Sequence, residues 1–145
     1  MLDSAFFYLA PAAALLALCF AMAFYRSMVR REEGTEVMQR IGEHVRRGAM
    51  AYLRQQYRVM LLVFFGLAAL FAILAWGFEV QNSWLPITFL AGGFFSALAG
   101  FFGMRTATMA STRTAAAARH SLDGSLQVAF RSGAVIGLSV VGLGL

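Results

Sequence analysis

The sequence has no lysine, one cysteine and two prolines, and charged residues make up only 13% of it. A soluble domain is usually about a quarter charged and nearer half apolar, whereas 60% of this chain is hydrophobic. With a mean hydropathy of +0.70, the chain belongs to the membrane class. A single cysteine, Cys19, excludes an internal disulfide. It stands among Ala, Leu and Phe and reads as a small buried apolar residue rather than a reactive thiol. All 12 basic residues are arginine, and the net charge is +5. The long aliphatic runs between the charged blocks argue against a nucleic-acid partner. Arginine beside an apolar span is better read as a topology signal or an anionic-lipid contact.

Chemistry-bearing motifs are also missing. There is no G-x-x-x-x-G-K-[ST], no H-E-x-x-H and no cysteine pair. His44 and His120 are isolated on polar segments and read as surface or interfacial residues. Asp3, Glu79 and Asp123 all stand at the ends of apolar runs, so no carboxylate lies within a span. Proton and cation carriers ordinarily use intramembrane acids, so no ion-coupling site is expected in these residues alone. No catalytic, metal-binding or substrate-binding residue is assigned.

Four apolar runs remain. The first, residues 4–25, is about 22 residues long and exceeds the ~20 needed to cross the hydrocarbon core. A cleavable signal peptide is the competing reading. It would want a basic start and a shorter apolar core; here the start is acidic, at Asp3, and a retained helix is expected. Pro11 is tolerable near the outer end of such a helix. The other runs are 59–78, 84–104 and 128–145, with Tyr57, Trp76 and Trp84 near the span ends, where amphipathic rings prefer the interface. The last run covers roughly 27 Å at 1.5 Å per residue and closes without a polar flank, as expected of a fragment. The whole is expected to be an all-α, polytopic helix bundle.

The connection 26–58 holds Arg26, Arg30, Arg31, Arg40, Arg46, Arg47, Arg54 and Arg58, and the connection 105–127 holds Arg105, Arg113 and Arg119. The leader and residues 79–83 hold none. By the positive-inside rule the amino terminus is outside and both arginine-rich segments are cytoplasmic. Residues 36–58 are expected to form an amphipathic helix running into the second span. Val37, Ile41, Val45 and Ala49 form one stripe, and Arg40, Arg47 and Arg54 mark another face. Its arginine face reads as solvated or facing lipid headgroups rather than as a substrate site. Glu36 with Arg40 and Glu43 with Arg47 are favourable four-residue pairs, and Thr35 is the expected N-cap. The Ala- and Thr-rich stretch after the third span predicts a helix extending well beyond the membrane. Asp123-Gly124 reads as a turn, with Ser125 capping the fourth helix.

Small residues spaced by four, Gly92, Ser96 and Gly100 on the third helix and Gly133 and Gly137 on the fourth, are candidate helix-packing positions. Arg131 is the one charge inside an apolar run. It either snorkels to the nearby interface or pairs with an acid on another helix.

Two stretches carry a resemblance. One is Ile41-Gly42-Glu43-His44-Val45-Arg46-Arg47-Gly48-Ala49-Met50-Ala51-Tyr52-Leu53-Arg54-Gln55-Gln56-Tyr57. The other runs from Gly103-Met104-Arg105-Thr106-Ala107-Thr108-Met109-Ala110 through Arg113-Thr114 and Ala118-Arg119 to Val128-Ala129-Phe130-Arg131-Ser132-Gly133-Ala134-Val135. In this order and spacing they resemble, respectively, the run before the second helix and the third and fourth helices of membrane-bound, ion-translocating pyrophosphatases, a likeness that covers most of the chain from residue 36 onward. Ile136 departs from the Met of many members, a volume-conserving change. The resemblance implies about sixteen helices per subunit, a homodimer and hydrolysis of cytoplasmic pyrophosphate with Mg2+. It also implies export of H+ or Na+ across a multi-pass bacterial inner membrane. The family's acidic signature, D-V-G-A-D-L-V-G-K-V-E, does not occur in this sequence. The resemblance places it on later helices and makes these residues an outer, scaffolding ring that is inactive alone. A small four-helix transporter and a non-enzymatic membrane scaffold are the alternatives; the first would need an acid within a span.

Overall fold

The computed structural model describes residues 2–77, 82 and 84–145, with side chains from residue 8 onward. Four helices follow in order: α1 (Leu2–Val29), α2 (Glu36–Ala72), α3 (Leu85–Ala118) and α4 (Leu122–Gly144). Glu79, Val80, Gln81 and Ser83 of the expected connection, and Phe78 at the end of the second run, lie outside the described residues. All four helices are long and apolar enough to cross a membrane.

The amphipathic segment 36–58 and the second span are one continuous helix of 37 residues, about 55 Å at 1.5 Å per residue. A hydrocarbon core is about 30 Å thick, so much of α2 projects from it. α3, with 34 residues, projects at the same end. Beyond Ala72, α2 widens into a π-helical turn, Ile73–Gly77. Pro11 lies within α1.

The helices stand side by side rather than as a closed bundle. α2 packs on α3, α3 on α4 and α4 on α1, while α1 and α3 touch lightly. Of the most apolar stretch of each helix, only 11% is buried in α1, α2 and α3, and 28% in α4. The tightest core instead lies toward the arginine-rich ends. It is formed by Met28, Ala110 and Val128, with Tyr25, Val29, Met109 and Ala117 around it.

Close approach is made by glycines outside the expected rows. A Cβ on Gly93 would run into the Phe64 ring, one on Gly42 into the Thr112 methyl, and one on Gly142 would lie 2.8 Å from Leu18. Phe64 stacks on Phe89 with ring centroids 4.4 Å apart, and Phe71 meets the same ring edge-on. This aromatic cluster joins α2 to α3 inside the apolar zone.

Three expectations are corrected. Ser125 does not cap α4; Ser121 does, its hydroxyl accepting from the Gly124 N–H at 3.0 Å. Asp123 and Gly124 are the first turn of the helix, not a separate turn. An acid there favours the helix dipole, and the Ser121 backbone is extended, as a cap requires. Cys19 is exposed on α1 rather than buried, because α4 covers a different face of that helix. Thr35 occupies the cap position of α2, but its side chain makes no capping bond.

Candidate functional site

The chain turns from α1 to α2 through a short polar linker, and Arg113 of α3 is inserted beneath it. Gly34 has φ +85°, and a Cβ there would press on Met38 and Ala116. Glycine is the residue that takes this left-handed turn without strain. The turn sets Glu33 against α3.

Arg113 is only 5% exposed, and all its donor nitrogens are used. Nε donates to the Arg31 carbonyl at 3.1 Å, Nη1 to the Met109 carbonyl at 2.8 Å and Nη2 to the Val29 carbonyl at 3.4 Å. Nη2 also lies 2.7 Å from Glu33 Oε1. The last carbonyls of a helix lack intrahelical partners and carry partial negative charge. The guanidinium therefore closes the C-terminal end of α1 and neutralises Glu33 together. Arg46 of α2 approaches the same carboxylate at 3.8 Å, so Glu33 bridges two arginines from two helices. Arg46 Nε is buried with no hydrogen-bond partner among the described residues. One cluster thus ties α1, the linker, α2 and α3 together.

Two further polar bonds cross between helices. Arg131 Nη1 donates to Ser27 Oγ at 2.7 Å, joining α4 to α1. The Tyr57 hydroxyl donates to the Ala97 carbonyl, joining α2 to α3. A Cβ on Gly100 would lie 3.0 Å from that hydroxyl, so Gly100 stands beside a contact. Gly92, Gly133 and Gly137 would carry a Cβ into open space, and Ser96 is exposed. The expected rows therefore face away from the other described helices, apart from Gly100.

Arg113 was legible only as one of the loop arginines. Its isolation in a run of Ala and Thr, where a solvated helix face would carry several charges, is the signal that marks it. Glu33, Ser27 and Tyr57 carry no comparable local signal. His44 and His120 are exposed. The Arg40–Glu36 pair forms at 3.2 Å and the Arg47–Glu43 pair forms beside it, both exposed and worth little individually.

Chemically, this arrangement holds helices in place. Glu33, Glu36 and Glu43 border one cleft, but each is engaged by arginine. No group of three or more His, Cys, Asp or Glu among the described residues could hold a metal ion.

A row of four helices, each long and apolar enough to cross a membrane, with charge-paired extensions defines a polytopic membrane protein. The sequence model of the family described as inorganic H+ pyrophosphatase matches residues 15–145, and the chain belongs to that family. It is 60% identical over 99% of its length to the "Putative K(+)-stimulated pyrophosphate-energized sodium pump" of Bacteroides thetaiotaomicron, covering 20% of that protein. It is 41% identical over 96% of its length to the K(+)-insensitive pyrophosphate-energized proton pump 2 of Moorella thermoacetica, again covering 20%. Identity to the K(+)-stimulated pyrophosphate-energized sodium pump of Thermotoga maritima is 39%, over 100% of this chain and 19% of that protein. The chain thus spans about one fifth of the length of the curated relatives it matches.

Proposed function

We propose that this chain is the N-terminal portion of a pyrophosphate-energised pump that couples hydrolysis of cytoplasmic pyrophosphate to ion export. The observation that carries this reading is 60% identity, over nearly the whole chain, to a relative named as such a pump. That relative favours Na+ as the ion, with K+ as a stimulator. H+ is the second reading, supported by the proton-pumping relative at 41% identity. In this proposal Mg2+ and pyrophosphate are held by residues outside this segment, and the full protein is a homodimer.

Within the pump these helices are an outer scaffold. Support comes from the contacts of Arg113, Arg131 and Tyr57, each of which fastens one helix to another. The outward rows at Gly92, Ser96, Gly133 and Gly137 pack against helices outside this segment. Arg131, with one nitrogen on Ser27, is placed to meet an acid on such a helix. The arginine-rich ends lie in the cytoplasm of a bacterial cell, and the amino terminus lies outside.

The test uses the full-length protein in inverted membrane vesicles. Pyrophosphate should drive 22Na+ uptake that K+ stimulates and a proton ionophore does not abolish. Uptake of protons in the absence of Na+ selects the second reading. Absence of any pyrophosphate-driven ion movement overturns both. For topology, cysteine introduced at Arg40 should be labelled by an impermeant maleimide in inverted vesicles and not in intact cells.

A further inference from the structure

A groove of about 470 Å3 opens at membrane depth between α1 and α3, with α4 behind it. Its floor is buried: Ala21 is 5% exposed, Thr106 3% and Val135 5%. Its walls, Met22 of α1 and Phe102 of α3, are about half exposed. Leu18 and Leu143 close the deep end. α1 and α3 both run toward the arginine-rich face, so Tyr25 and Arg105 stand at the mouth nearest that face. The groove is therefore apolar in the bilayer interior and cationic where the headgroups begin.

Arg105 is exposed, and its guanidinium makes no hydrogen bond or ion pair among the described residues. That distinguishes it from Arg113, whose donors are consumed by carbonyls and Glu33. The Tyr25 hydroxyl donates to Met109 Sδ at 3.6 Å, which fixes its ring beside the mouth. Between Leu18 and Tyr25 the groove spans about 10 Å of depth at 1.5 Å per residue. A flexible acyl chain fits a groove of this depth and volume. The volume falls within the range of about 300–1,000 Å3 usual for ligand clefts. Basic pockets between transmembrane helices are recognised by anionic headgroups.

We propose that this groove is a binding site for one anionic phospholipid, its acyl chain lying between α1 and α3 and its phosphate on the Arg105 guanidinium. The bound lipid fills the concavity that α1, α3 and α4 leave between Leu18 and Arg105. It belongs to the leaflet on that side.

The test is native mass spectrometry of the full-length pump in mild detergent, titrated with dioleoylphosphatidylglycerol or dioleoylphosphatidylcholine. The unaltered pump should retain one phosphatidylglycerol in preference to phosphatidylcholine. Arg105→Gln should weaken phosphatidylglycerol binding about fivefold, the usual worth of one arginine at an anionic surface, and leave phosphatidylcholine unchanged. Arg54→Gln, which removes the same charge from α2 outside the groove, should change neither. Ser139→Phe, which fills the groove, should abolish the retained lipid. Equal retention of the two lipids, or no retention, overturns the proposal. So does phosphatidylglycerol binding that is insensitive to Arg105→Gln or equally sensitive to Arg54→Gln. A cross-link from Cys at Met22 to another helix of the pump, with no lipid retained, assigns the groove to that helix instead.

Discussion

The two ends of this helix row are built on different principles. Toward the arginine-rich face, Met28, Ala110 and Val128 form a closed core, and Arg113 is nearly buried beneath the α1–α2 linker. Toward the opposite face, the helices meet along narrow seams, and Leu62, Phe65 and Phe94 stand more than half exposed. In water such exposure would mark a large interaction surface. In lipid it carries no such penalty, because the hydrocarbon around the helices is as apolar as the side chains themselves. The projecting ends must therefore fold as a soluble protein folds, with buried carbons and paired charges. The spans need only steric fit.

The sharpest way to break that contrast is Arg113→Ala in the full-length protein. It leaves the α1 carbonyls unpaired and Glu33 with only the longer Arg46 contact; removal of one member of a buried pair costs about 3–5 kcal/mol, and the partial exposure of Glu33 puts this one at the low end of that range. A large fall in the melting temperature of the detergent-solubilised pump is expected, with new protease cleavage at residues 30–35. An unchanged melting temperature would show that the knot is incidental.

Next in size is a paired experiment in the spans. Gly93→Leu forces a side chain into Phe64 and should cost about 1–3 kcal/mol, as overpacking does. Gly92→Leu, one residue away, meets nothing in this segment. If Gly92→Leu is as damaging as Gly93→Leu in the complete pump, as read by dimer yield and pumping rate, then its row packs on helices outside this segment. If it is harmless, the packing role proposed for that row is lost.

Smaller still is Gly34→Ala. A left-handed backbone costs a side-chain-bearing residue about 1–2 kcal/mol, and the linker should become more susceptible to proteolysis while the spans stay intact. The smallest effect is Arg40→Gln. Its pair with Glu36 is 76% and 82% exposed, so less than about 0.5 kcal/mol is expected, measured as a shift in melting temperature within error.

Much of the architecture was legible because lipid imposes strict rules on sequence. Apolar runs near twenty residues, cut by arginine blocks, leave few arrangements for α1 to α4. The stripe at Val37, Ile41 and Val45 correctly announced the helical extension of α2. The same stripe did not reveal its partner: Val37 is 66% and Ile41 58% exposed, and α2 meets α3 through Gly42, Tyr57 and Phe64 instead. The rule of small residues at four-residue spacing pointed to Gly92, while the close contact falls at Gly93. Which of two adjacent glycines faces the neighbour depends on helix rotation, and helices apolar all round do not encode it. Ser121 rather than Ser125 caps α4 because the α3–α4 connection is only three residues long, which spacing alone did not fix.

By itself, then, the sequence determined the solvent, the number and length of the helices and the segregation of charge. Each follows from local hydrophobicity and from the need to satisfy every backbone polar group within a helix. Only the tertiary structure decided the order in which the helices stand, the burial of Arg113 on carbonyls far away in sequence, and the groove beside Arg105. These depend on which faces meet. A pattern read along one helix states what that helix can tolerate, but not which neighbour it touches.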